Sequence, residues 1–339
     1  MLERKKVLVI KPSSLGDIIH GLPVLNAIKS SFPHAEIHWV VAKGFEGVLE
    51  GHPLIKKIWV VNKDEWKKIA KVKDSLLEFR RLFRELKAER FDYAIDLQGL
   101  LRSGIIAEAS GAPVRVGFKE AREGSTIFYT HTVVGGEEVH AVDRYLKIAA
   151  FLGCDTSEVR FPFPPSGRSF AAEVPFTGLS CGNYAVMTPG ARGPAKRWPA
   201  RRFGELASIL PMKTLVIGSK ADVSIAEEVV GASKGKAVSL SGKTDLKGLM
   251  EIIQSARFMV CNDTAPMHIA AALGVHVFAL FGPTNPLRTG PYGSNHTIVK
   301  KNVPCSPCYK KSCKTIACMD MIETEEVRKV ITEFLCGGK

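Results

Sequence analysis

Residues 261–283, CNDTAPMHIAAALGVHVFALFGP, restrict the fold more than any other stretch of the chain. The apolar run at 258–261 has the length of a buried parallel strand, and 275–281 forms a second. Between them Asp263 and Thr264 supply N-cap side chains. Pro266 falls in a first helical turn, where its missing N–H does no harm. Met267, Ile269 and the apolar run to Leu273 give up to two helical turns, stopped by Gly274. Strand, helix and strand in this order predict a βαβ unit whose open N–H groups and positive dipole end suit phosphate. An ordinary crossover with a polar cap has the same outline. Asp263, Thr264 and His268 within two turns of that end favour phosphate, because a core helix needs only one cap.

The same alternation runs through the chain. Residues 7–10 read as a strand, followed by Lys11-Pro12-Ser13-Ser14-Leu15-Gly16-Asp17 and a helix that Pro23 is expected to break. Asp17 then stands at a strand's carboxyl end, where open α/β sheets bind ligands. Helix capping is its other use. The loop holds neither GxGxxG nor GxxxxGK[ST], which excludes a dinucleotide fingerprint and a P-loop. Further strands are expected at 37–42, 58–61 and 93–97, the last running into Gln98-Gly99-Leu100-Leu101-Arg102. A helix from Ser75 carries Leu76, Phe79, Leu82, Phe83 and Leu86 on one face, with Arg80, Arg81, Arg84 and Lys87 on a solvated one. Residues 117–124, with Arg122, read as a basic loop, and 140–152 as a helix with His140 and Arg144 on one side.

The run FPFPPSG at 161–167 is the clearest break in composition and reads as an extended linker. Beyond it come strands at 184–187 and 214–217, loops at 188–199 and 218–222, and helices from about Arg201 and at 247–255. Two doubly wound, Rossmann-like α/β domains follow, 1–165 and 166–339, expected to face a central cleft. The last helix is a candidate to pack back on the first domain.

No apolar stretch approaches the roughly 20 residues of a membrane span, and 7–10 is too short for a signal peptide, so a cytoplasmic protein is expected. The net charge of +13 divides unevenly: 1–165 carries 25 basic and 21 acidic residues, 166–339 carries 22 and 13. That balance suits nucleotides, nucleic acid or an anionic membrane surface. Stacking platforms for nucleic acid need aromatics interleaved with Lys and Arg, and aromatics are 8% of the chain without that pattern. Four of eight cysteines bunch as Cys305-x2-Cys308-x4-Cys313-x4-Cys318, a spacing open to zinc or to reduced thiols that matches no standard zinc ribbon.

Three loops of the second half carry groups for a nucleoside diphosphate. Lys196 and Arg197 meet phosphate charge, Asp222 accepts from ribose hydroxyls, and the helix start after Asp263 holds the pyrophosphate. No Asp-x-Asp pair occurs to hold a divalent ion, so cations and a helix dipole are expected to stabilise a leaving diphosphate.

In order along the chain, the segments VLVIKPSSLGDIIHGLPVLNAI, DLQGLLRSG, GFKEAREG, HAVDRYL, TPGARGPAKRWP and NDTAPMHIAAALGVHVFALFGPTNP resemble glycosyltransferase family 9, over nearly the whole length. The resemblance implies a GT-B fold, an ADP-heptose donor, and the Kdo region of a lipid A precursor as acceptor. It also implies inversion without a metal or other cofactor. By motif, Asp17 would be the general base taking the proton from the acceptor hydroxyl. Thr188, Lys196, Asp222, Asp263, Thr264, Ala265 and His268 would bind the donor. Asp222 departs from the pattern, being shorter than a glutamate. Ser14, Gly16, Arg102, Arg122, His140 and Arg144 would bind the anionic glycolipid. A monomer in peripheral contact with the cytoplasmic face of the inner membrane is expected. Two alternatives stand beside this reading: a family member with another acceptor or nucleotide sugar, and a non-enzymatic nucleic-acid binder.

Overall fold

The computed structural model describes residues 2–62, 72–165, 167, 174 and 179–337, with backbone only for 72–78. Leu76 of the expected apolar face and Ser166 of the expected linker therefore lie outside the described side chains. The chain divides into two compact units, Met1–Pro165 and Ser166–Lys339.

The first unit holds strands β1 (Lys6–Ile10), β2 (Glu36–Ala42), β3 (Lys57–Val61), β4 (Tyr93–Asp96), β5 (Val114–Phe118) and β6 (His131–Val133). Its helices are α1 (Leu15–Ser31), α2 (Val72–Ala88), α3 (Leu101–Ala109) and α4 (Ala141–Phe151). All strand pairs are parallel, in the order β3-β2-β1-β4-β5-β6. The second unit holds β7 (Tyr184–Thr188), β8 (Lys213–Val216), β9 (Ala237–Ser239), β10 (Phe258–Asn262), β11 (Val277–Phe281) and β12 (Thr297–Lys300). Its helices include α5 (Ala200–Ile209), α6 (Val223–Ala232), α7 (Leu246–Gln254) and α8 (Ala265–Ala272). Its order, β12-β11-β10-β7-β8-β9, is the same winding: the first strand of the unit is central and the path reverses beside the fourth. Both are Rossmann-like sheets, and in each the reversal leaves a crevice at the strands' carboxyl ends. The central strands read as unbroken apolar runs because helices cover both faces.

Two expectations need correction here. Helix α1 runs through Pro23 without a break. A proline inside a helix costs about 3 kcal/mol. Ile18, Ile19, Leu22, Leu25 and Ile28 are fully buried along α1, and each contributes about 1.5–3 kcal/mol by leaving water, so packing prevails. The basic loop at 117–124 begins later than expected, because Gly117 and Phe118 belong to β5. On helix α2, Arg80, Arg81, Arg84 and Lys87 are exposed as read.

The last helix, Thr324–Gly337, packs against α5, and its Val327 and Ile331 join the core of the second unit. Its Phe334 stacks on His276, with centroids 4.2 Å apart. Burial, with the neighbouring His296 charge, pushes His276 from 6.5 down to about 4. Between these values the unfolded chain binds a proton that the native one refuses. Stability is therefore full above about pH 6.5 and is lost as pH falls toward 4. The thermal midpoint should drop over that window, and His276→Gln should flatten the drop. An equally steep profile in His276→Gln would assign the acid sensitivity elsewhere.

Candidate active site

In the first unit the crevice lies between β1 and β4. Ser14 is the N-cap of α1, and both its backbone N–H and its Oγ donate to Asp17 Oδ2, at 2.9 and 2.8 Å. Asp17 is therefore a capping side chain at the strand end where a ligand group is expected, with Gly16 buried beside it. The preceding Ser13 N–H donates to Gln98 Oε1 at 3.3 Å, which ties the loop after β1 to the loop after β4.

Beneath this loop is a buried cluster that sequence reasoning passed over. Lys11, 3% exposed, donates from Nζ to the Leu97 carbonyl at 3.2 Å and lies 5.0 Å from the Tyr145 ring centroid. Burial alone would lower its pKa. The charge of Asp17, with Tyr145 and Asp96, outweighs burial and holds the ammonium above its ordinary value. His20, one turn along α1 from Asp17, meets the His140 ring edge-on at 5.2 Å. Asp96 is fully buried and accepts from the N–H groups of Gln98 and Gly99 (2.8 and 3.1 Å) and from the Tyr129 hydroxyl (2.6 Å). Burial drives its carboxyl pKa up against those bonds. Asp96 thereby shapes the turn whose Gly99 carbonyl receives the Arg122 N–H at 2.9 Å. A single acid ending an apolar strand before Gln-Gly was the available signal.

The basic candidates differ in what holds them. Arg102 and Arg122 are exposed. His140 is the N-cap of α4 and not its first turn, with Nδ1 accepting from the Val142 N–H at 3.2 Å. Arg144 lies over the Phe118 ring at 4.2 Å, pairs with Glu120 at 3.7 Å and fills the space where a Cβ on Gly135 would stand. Arg144 is a structural cation as well as a candidate ligand.

In the second unit the crevice lies between β7 and β10. Lys196, in a single 3-10 turn Pro194–Lys196, reaches across it to Asp263 Oδ2 at 2.6 Å, and Thr284 Oγ1 donates to the same oxygen at 2.7 Å. Asn262 fastens the two loops by accepting from the Trp198 N–H (3.0 Å) and donating to the Pro189 carbonyl (2.7 Å). Thr264 is the N-cap of α8 and its side chain makes no cap bond. Pro266 carries no N–H, and the Met267 N–H donates to the Thr264 carbonyl at 3.1 Å, which leaves the Ala265 N–H without a partner among the described residues. Ala265 and Pro266 begin the helix, and His268 is buried one turn on. Thr188, at the end of β7, is 2% exposed, and its Oγ1 finds no hydrogen-bond partner. The Ser241 hydroxyl, 4% exposed and missed by sequence reasoning, is in the same state beside Gly218.

Asp222 accepts from the Ser219 N–H and Oγ, at 2.9 and 2.6 Å. It sits so close to Gly190 that a Cβ there would collide with its carboxylate. The loops after β7 and β8 thus converge at the expected nucleotide side. Arg197 is turned to the Ala191 carbonyl at 2.9 Å and braces the loop.

Cys305, Cys308, Cys313 and Cys318 are free thiols. Burial and then the charges of the other three push Cys318 up, whereas hydrogen bonds from Thr315 and Ile316 hold Cys313 down. Among the described residues, the ligand-type side chains gathered within 4.8 Å of one another are Glu36, His38 and Glu89. Lys6 and Lys57 already neutralise that group at 3.2–3.4 Å. No three cysteine sulfurs come together to that extent. The cysteine loop instead supports Lys196, since the Lys311 carbonyl accepts from the Ala195 N–H at 3.2 Å.

Residues 79–318 match glycosyltransferase family 9 (heptosyltransferase). Lipopolysaccharide heptosyltransferase 1 of Pseudomonas aeruginosa is 32% identical over 91% of this chain and 87% of its own. Lipopolysaccharide heptosyltransferase 2 of Salmonella typhimurium is 26% identical over 87% and 88%. The structure of E. coli heptosyltransferase WaaC with ADP superposes with a TM-score of 0.80 at 24% identity, covering 97% of this chain and 99% of that one.

Proposed function

The chain belongs to glycosyltransferase family 9, and on that premise we propose that it moves heptose from ADP-heptose to the Kdo region of a lipid A precursor in lipopolysaccharide core assembly. The observation that carries the donor half is the Lys196–Asp263 pair at the N-terminus of α8, with the buried Thr188 hydroxyl unsatisfied. Such a site offers the positive dipole end of a helix with its Ala265 N–H, a cation and an unused hydroxyl to a nucleoside diphosphate. The first heptose addition is favoured over the second by the higher identity to the heptosyltransferase 1 relative.

Asp17 takes the proton from the attacking acceptor hydroxyl, and the heptose inverts at its anomeric carbon in one displacement. The leaving ADP is stabilised by Lys196 and the α8 dipole, without a metal ion. Arg102, Arg122, His140 and Arg144, with Ser14 and Gly16, hold the acceptor's carboxylates and phosphates. The protein acts as a monomer on the cytoplasmic face of the inner membrane. Among the described residues no helix is long and apolar enough to cross it.

The test offers the purified protein ADP-heptose and other nucleotide sugars with a Kdo–lipid A acceptor, in excess EDTA, and reads product masses. A heptose adduct from ADP-heptose alone is expected. Transfer lost in EDTA and restored by Mg²⁺ or Mn²⁺ would overturn the metal-free step, and an adduct only on an already heptosylated acceptor would assign the second addition. Among acceptor residues, Arg122→Ala should raise acceptor KM several-fold with the thermal midpoint unchanged. Arg144→Ala should raise KM and lower the midpoint together, because Phe118 loses the guanidinium over its ring and Glu120 loses its paired cation. A weaker donor affinity in either variant with acceptor KM intact would reverse this division of labour.

A further inference from the structure

In the first unit α2 and α3 lie on the same face of the sheet, since Leu86, Ile106 and Ala107 share one core with Leu8, Ile10 and Ala94. The two helices pack side by side, and the 3-10 turn Ser125–Phe128 packs on α3. Gly104 permits that approach: a Cβ there would meet the Phe128 ring at 2.7 Å. The outward sides of α2, α3 and the turn thus form one surface.

Its composition is unusual for a face that meets only water. Leu101 and Ile105, one turn apart on α3, are 39% and 36% exposed, and Ile127 on the turn is 77% exposed. Beside them α2 presents Arg80, Arg84 and Lys87, none of which has a carboxylate partner among the described residues. Among the described side chains, three acids of the same face are engaged. Glu85 pairs with Arg81 (2.8 Å), Glu108 with Arg115 (2.9 Å), and Glu123 accepts from the Leu101 N–H (3.2 Å). Unneutralised cations next to unpartnered aliphatic side chains match the boundary of an anionic bilayer. Lipid phosphates pair with the first, and the acyl margin receives the second.

We propose that the α2–α3 face, through Arg80, Arg84, Lys87, Leu101, Ile105 and Ile127, docks the protein on an anionic lipid bilayer. The docking rests on the peripheral contact proposed above. It gives that contact a surface, and α3 also carries Arg102 at its start, so the acceptor-side loop is delivered to the membrane from which a glycolipid would be taken.

Vesicles without any glycolipid acceptor test it, so failure here overturns docking and leaves the transfer reading to its own assay. The full chain should co-float with phosphatidylcholine vesicles containing phosphatidylglycerol and not with phosphatidylcholine alone, and added salt should release it. Each cation near such a surface contributes about a fivefold affinity gain, so the triple variant Arg80→Gln/Arg84→Gln/Lys87→Gln should bind on the order of 100-fold more weakly. Ile127→Ser should weaken binding roughly tenfold. Unchanged thermal midpoints certify that both variants are folded; if the triple variant is unfolded, Ile127→Ser alone decides. Equal binding to neutral vesicles, no binding at all, or variants that bind like the wild type would overturn the proposal. So would a dimer in solution that Ile127→Ser dissolves, which would give this face to a second copy of the chain.

Discussion

Asp17→Asn is expected to lower kcat by about 10²–10⁴-fold, the usual contribution of a general base, with donor affinity little changed. Asparagine is the informative replacement because Asp17 also caps α1. An amide oxygen can still accept from the Ser14 N–H, so the helix start survives while the proton acceptor is lost. Asp17→Ala removes both and should cost about 1 kcal/mol of stability in addition. Beneath the site the buried Lys11 ammonium donates to the Leu97 carbonyl and lies over the Tyr145 ring, and either replacement leaves both contacts in place. Turnover of Asp17→Asn within a few-fold of wild type, measured at saturating donor and acceptor, would reduce Asp17 to a cap.

The frame of this protein was legible because parallel strands buried on both faces leave continuous apolar runs. Strands β1, β2, β4, β7, β8 and β10 each lie within a residue or two of their expected ends. Pro23 was misleading because a local rule was set against non-local packing, and the buried aliphatic side chains of α1 prevail. Lys196 and Asp263 were both readable as phosphate-site residues, yet their 2.6 Å pairing was not. They are 67 residues apart in sequence, and only the strand order brings the loops after β7 and β10 to one crevice. Lys11 was illegible for another reason. A lysine at a strand end ordinarily reaches water, and here the Leu97 carbonyl and the Asp17 charge hold it inside. The stacking of Arg144 on Phe118 was hidden likewise, because it depends on β5 and α4 lying together.

Lys196→Ala should carry the second large effect, on the donor side alone. A hydrogen bond to a charged group contributes about 1.5–3 kcal/mol. ADP-heptose or ADP should therefore bind roughly 10–150-fold more weakly, read as Kd by titration calorimetry, with acceptor KM preserved. The ligand-free geometry adds a condition. Lys196 is paired with Asp263, which is 7% exposed and, among the described residues, has Thr284 as its further side-chain partner. A diphosphate arriving at the start of α8 must compete with that carboxylate for the ammonium. Removing Lys196 thus also leaves a buried charge with one hydroxyl donor, and the thermal midpoint should fall. Asp263→Asn separates the two consequences: it relieves the buried charge while leaving the ammonium free for phosphate. Diphosphate affinity should hold or rise in Asp263→Asn and collapse in Lys196→Ala. If both variants lose ADP to the same degree, the pair acts as a structural clasp between β7 and β10, and the phosphate-binding cation lies elsewhere in the unit.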